Sequence, residues 1–194
     1  MERDSTAVRG IAHPMHPAVL GSVIGMAGAS VFMLVNRDAL PGPWPLVALL
    51  AWAALLAAAV WAVFLAPRRV HDVGAPSRWA GPTYGASVLG MVALIVVGTR
   101  LARQVGVDSA QPAVVAAAVG LHFIPFAWAF RARAFAWMGG VVAALGLLGV
   151  LAAALLGTPS GEAAAVLAGA AMLAFLTVDA RRPAPTRSAG ADPR

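Results

Sequence analysis

Few side chains in this 194-residue chain can do chemistry. There are four histidines and no cysteine. The lack of cysteine removes disulfides, thiolate metal centres, iron–sulfur clusters and thiol nucleophiles together. His122 is the first candidate. It sits inside QPAVVAAAVGLHFIPFAWAFRAR, residues 111–133, in an otherwise apolar run. An ionisable group at that depth in a membrane helix marks a ligand or proton site by default. A neutral imidazole can ligate a metal or relay a proton. Pro125 follows three residues later. It has no N–H, and its ring crowds the Leu121 carbonyl, so a helix through it should bend and leave that acceptor unbonded. A histidine beside a broken helix describes a small ligand or proton site. The plainer reading is one interhelical hydrogen bond from His122 and a bend at Pro125. It is the weightier of the two, because no carboxylate accompanies His122 in its run.

His13 and His16 form a second candidate, in His13-Pro14-Met15-His16-Pro17. Two imidazoles with Met15 as a soft third ligand could hold a metal. Pro14 and Pro17 break the helix that would align them, so a proline-stiffened lead-in to the first apolar run is the plainer reading. No Asp or Glu falls in the middle of any apolar run; Glu162 and Asp179 lie at run ends. Cation- and proton-coupled transporters usually depend on such a carboxylate. The other polar side chains within the runs are Ser22, Ser30, Ser87 and Thr177, with Thr83 and Tyr84 near an edge. Phosphate-loop, zinc-helix and nucleophile-elbow motifs are missing. Only one histidine lies at depth, which leaves haem without a second axial ligand. No cofactor is expected.

The elements that carry these residues follow from composition. The chain is 60% hydrophobic and 11% charged, with a mean hydropathy of +0.80. Soluble domains carry about 25% charged residues. The apolar residues come in unbroken blocks long enough to span a bilayer, and not in the short alternating segments of a barrel. The predicted fold is all-α: a polytopic integral membrane protein, a compact bundle of six transmembrane helices. The spans are predicted at about 18–35, 44–66, 83–99, 112–130, 135–156 and 160–178. Residues 1–17 form an N-terminal segment, and 179–194 an Arg-, Pro- and Ala-rich tail expected to be disordered. The first run is read as an uncleaved span and not as a signal peptide. The second has about −5 kcal/mol of insertion preference from its Leu, Val and Phe. Its Trp44 and Trp61 suit the two interfaces, while Trp52 must lie at mid-membrane or against another helix.

Small residues spaced four apart predict where helix backbones approach closely. Gly21, Gly25 and Ala29 form such a seam in the first span, and Ala86 and Gly90 in the third. The fifth holds Gly139, Gly140, Gly146 and Gly149. Only residues 131–133 separate the fourth and fifth runs, so these two spans must be antiparallel neighbours. In Gly157-Thr158-Pro159-Ser160, Thr158 is expected to cap the last helix with Pro159 as its first residue.

The net charge is +6 and all fourteen basic residues are arginine. They cluster at the ends of apolar runs, which points to membrane lipids and topology rather than nucleic acid. Six spans place eleven arginines on the side of the termini, including Arg68, Arg69, Arg131, Arg133, Arg181 and Arg182, and three on the other. The positive-inside rule then makes both termini cytoplasmic. The arginine-only basic set, with abundant Ala, Gly and Pro, fits a GC-rich bacterial genome, so the expected location is the bacterial cytoplasmic (inner) membrane.

The scarcity of polar groups in the spans favours a non-enzymatic protein: a scaffold, an assembly partner or a protein acting on the bilayer. Its partners would be membrane lipids and a second copy or another membrane protein. The alternative is a small permease or channel for an apolar or weakly polar solute, with His122 and Pro125 at the constriction. An intramembrane enzyme using His122 with His16 or His71 ranks third.

Overall fold

A computed structural model of the chain describes residues 17–67, 79–129 and 133–182. All six predicted runs within them are helical: α1 (Pro17–Asn36), α2 (Trp44–Val60), α3 (Ala80–Gln104), α4 (Gln111–Ala129), α5 (Arg133–Leu156) and α6 (Ser160–Arg181). Each is part of a segment long and apolar enough to cross a membrane. At 1.5 Å per residue, the 20 residues of α1 reach about 30 Å, the thickness of a bilayer's hydrocarbon core. The chain is an all-α bundle and a multi-pass membrane protein. Helix is the form these runs must take, because lipid offers no partner for an open backbone N–H or C=O.

The ends of the helices follow local chemistry. The second span continues from α2 through one π-helical turn, Trp61–Leu65, where the Ala66 N–H reaches the Trp61 carbonyl at 2.8 Å. α3 outlasts its apolar run by about a turn and closes in a Schellman motif. Gly106 (φ +75°) donates to the Arg103 carbonyl and Val107 to that of Ala102. Gly157 (φ +77°) closes α5 through its N–H to the Ala153 carbonyl. The start of α6 differs from expectation by one residue. Pro159, not Thr158, is the cap, and it makes no side-chain cap bond. Its φ of −101° and ψ of 33° lie outside the helical basin. Its carbonyl accepts the first helical bond, from Ala163.

α6 is the hub. It packs against α1, α2, α4 and α5, and Met172 and Leu173 on it are among the most deeply buried large side chains, with Met33, Val63 and Val142. α4 and α5 are antiparallel and touch backbone to backbone, with α6 completing a central trio. α1 and α2 lie against α6. α3 stands apart: it packs on α4 and on the turn Asp108–Ala110 that leads into α4. Only 6% of its most apolar stretch is buried, against 44% for α6.

The close approaches fall only partly where glycine spacing predicts them. In α1, Gly25 faces Leu176, and Ala29 is fully buried, with its carbonyl against Gly169 of α6. A Cβ on Gly21 would meet nothing within 4 Å. In α3, Ala86 is exposed and Gly90 likewise faces open space, so neither packs on another helix of this chain. A closer seam lies between α4 and α5. There Gly120 meets the Ala143 backbone, and Gly146 meets that of Ala117.

Arg133, Arg181 and Arg182 fall at one end of the bundle, with the C-terminal ends of α2, α4 and α6. Arg37, Arg100 and Arg103 fall at the other. Arg68, Arg69 and Arg131 lie outside the described residues, as do His13, His16 and His71. Trp61 is at the Arg181 end, where the guanidinium carbon stands 4.9 Å from its ring centroid. Trp128 and Trp137 sit at that end too and are exposed, as suits an interfacial belt.

Candidate functional site

His122 projects from the C-terminal half of α4 toward α3. Its Nδ1 lies 2.9 Å from Ser87 Oγ. Ser87 Oγ is also 3.1 Å from the Tyr84 carbonyl one turn back in α3. A serine hydroxyl has one proton to give. When it goes to Tyr84, the imidazole Nδ1–H donates to Ser87; when it goes to His122, Nδ1 is the acceptor. The pair therefore couples the histidine tautomer to the serine rotor. The Tyr84 ring stands edge-on to the imidazole at 6.2 Å. Phe123 is 5.4 Å away on the other side and stacks on Phe135 of α5 at 6.1 Å. His122 is half-buried in this mixed aromatic and polar setting.

This places His122 at the seam between α4 and the outlying helix α3, and not among the residues of the central trio. Pro125 is exposed on the next turn of α4, and α4 runs on through it to Ala129. The structure thus brings together His122, Ser87 and Tyr84, while Pro125 faces outward. Among the described residues no polar or charged residue is buried, and no three His, Asp or Glu side chains gather in a way that could hold a metal. Glu162, in the first turn of α6, has one carboxylate oxygen, Oε2, that is buried without a hydrogen-bond partner.

A second serine makes a similar bridge on the other side of the bundle. Trp52 Nε1 of α2 donates to Ser30 Oγ of α1 at 2.9 Å, and Ser30 Oγ donates to the Met26 carbonyl at 2.7 Å. In both cases a serine bonds to its own helix and to a ring nitrogen of the next one. Trp52 therefore lies against another helix, the second of the two settings its position allowed. Thr99 and Thr177 bond only to carbonyls of their own helices. Ser30 with Trp52, and Ser87 with His122, thus join neighbouring helices.

Sequence reasoning singled out His122 but missed Ser87 and Tyr84 as its neighbours. The faint signal was that α3 has few other polar groups with which to meet it. Interhelical bonds of this type average about 0.6 kcal/mol and reach about 1.7 kcal/mol in membrane proteins. A double-mutant cycle of Ser87→Ala and His122→Leu is therefore expected to give a coupling of about 0.5–1.5 kcal/mol in detergent unfolding. Strictly additive losses would show that the 2.9 Å contact does not hold α3 to α4.

The search for similar proteins returned no match among protein-family models, curated proteins or solved structures.

Proposed function

We propose that the chain is a non-enzymatic scaffold or assembly protein of the bacterial cytoplasmic membrane, with both termini in the cytoplasm. One observation carries the reading: the centre of the bundle is sealed by backbone packing. Gly120 on Ala143, Gly146 on Ala117 and Gly149 on Ala164 bring α4, α5 and α6 together with no polar lining between them. A solute path needs groups that replace the hydration it loses, and this centre offers methyl groups and backbone. What the molecule offers outward is apolar helix surface, above all α3, suited to other transmembrane helices. The arginine asymmetry supports the orientation.

Native mass spectrometry of the full chain released from lipid nanodiscs tests this, paired with solute flux into proteoliposomes. The expected result is a defined assembly, of copies or with another membrane protein when released from native membranes, and flux no higher than in protein-free vesicles. A monomer that passes a small solute would sink the scaffold reading.

A second reading is favoured by the His122–Ser87–Tyr84 cluster, a polar group of side chains joining α3 to α4. A small permease for a weakly polar solute would place its constriction there, between the outlying helix and the trio. Flux that disappears in His122→Leu, with expression intact, would select it.

A further inference from the structure

We propose that the groove between α5 and α6 at the arginine-rich end holds one anionic glycerophospholipid. An acyl chain would lie along the groove, with the phosphate at its arginine-bearing end, next to Arg182. The groove has a volume of about 340 Å³, and its walls include Trp137, Val141 and Val142 on α5 and Ala174, Phe175 and Val178 on α6. A water held there would need two to four polar partners. Every lining side chain is apolar, so the fitting occupant is a hydrocarbon.

The register of the two helices brings charge to one mouth of this groove. On α6 the wall positions step along one stripe to Val178, and the next position on that stripe is Arg182, just past the helix end. On α5 Arg133 lies one turn before Trp137. Arg181, by contrast, is turned to the Trp61 ring of α2. Arg182 has one carboxylate near it, Asp179 at 3.9 Å, and both side chains are about half exposed. An exposed pair at that distance contributes little and leaves the guanidinium able to bond a phosphate. Trp137 is 73% exposed at the same mouth, a ring placed as headgroup-level tryptophans are. An apolar trough that ends at Trp137 and Arg182, at the end of the bundle where α5 begins with Arg133, is complementary to a lipid with a negative headgroup. A transmembrane helix of a partner would match the trough but not the arginines. Lipid retention requires only that the chain spans a membrane, and it stands apart from the scaffold reading.

The test uses the full chain in nanodiscs of equal phosphatidylcholine and phosphatidylglycerol, with retained lipid counted by native mass spectrometry. The wild type is expected to keep one phosphatidylglycerol in preference to phosphatidylcholine under activation that strips the rest. Each of Arg133→Gln and Arg182→Gln should lower that preference about fivefold, the effect of about 1 kcal/mol per basic residue at a lipid surface. Ala174→Phe fills the trough and should reduce retention of both lipids. Should that variant fail to accumulate, the two glutamine variants decide alone, since both changes are at helix ends. Retained lipid that mirrors the bulk mixture, or a double glutamine variant that keeps phosphatidylglycerol like the wild type, would overturn the proposal. So would a second polypeptide held in place of lipid.

Discussion

Gly146→Ala is expected to destabilise the bundle by about 1–3 kcal/mol. A Cβ at Gly146 would land on the backbone nitrogen and Cα of Ala117 and 2.8 Å from the Ala113 carbonyl. None of these atoms belongs to a side chain that could rotate away. α4 and α5 would have to separate along the seam, and the dispersion contacts of both would weaken together. Gly120→Ala should behave alike, because its Cβ would strike the Ala143 backbone. Gly140→Ala is the control. It lies on the same helix, where a Cβ would meet nothing within 4 Å, so alanine's better helix propensity should stabilise by up to about 1 kcal/mol. Thermal or denaturant unfolding in one detergent measures all three. Opposite signs at positions 140 and 146 are expected; equal small effects would mean that α4 and α5 do not meet backbone to backbone.

This contrast also shows why the fold was legible in the sequence and the packing only in part. Six runs nearly free of charge and long enough to cross a bilayer dictate six helices, and the three-residue link after the fourth dictates its antiparallel neighbour. Which face of each helix turns inward is another matter. In water, polarity marks the outer face. In lipid, both faces are apolar, and α3 shows the result: Ala86 and Gly90 have the spacing of a seam but sit on an open surface. Gly120 and Gly169 carry real approaches, but the Ala116–Gly120 and Ala165–Gly169 spacings do not stand out in runs where alanine recurs on every face. Their signal was in pairs of helices, Ala113, Ala117 and Gly120 on α4 against Gly139, Ala143 and Gly146 on α5, and a single run cannot display it. His122 was legible as a candidate for the same reason in reverse. A lone imidazole in an apolar run must find a partner, but the run does not say that the partner is Ser87, 35 residues back. The cap of α6 fell on Pro159, whose φ of −101° and ψ of 33° residue preferences alone do not set.

Leu147→Arg and Leu156→Arg should differ by about 3 kcal/mol, although both positions are exposed in the folded chain, at 57% and 78%. On a protein surrounded by water, neither change would matter much, since substitutions at exposed sites stay within about 0.5 kcal/mol. A bilayer reverses that expectation for one of them. Leu156 is the last residue of α5, and an arginine there reaches the headgroups along its own stem. Leu147 is nine residues earlier, about 14 Å deeper along the helix. An arginine near the centre of a span costs about 2.5–3.5 kcal/mol of insertion free energy, and the lost leucine adds about 0.5 kcal/mol. The membrane-inserted fraction, read by carbonate extraction and by glycosylation mapping of the loop after α5, should fall for Leu147→Arg and hold for Leu156→Arg. Equal tolerance at the two sites would mean that the outer face of α5 meets water or protein instead of lipid. Exposure in the folded chain would then have its ordinary meaning, and the apolar surface of α3 would need a covering other than the bilayer.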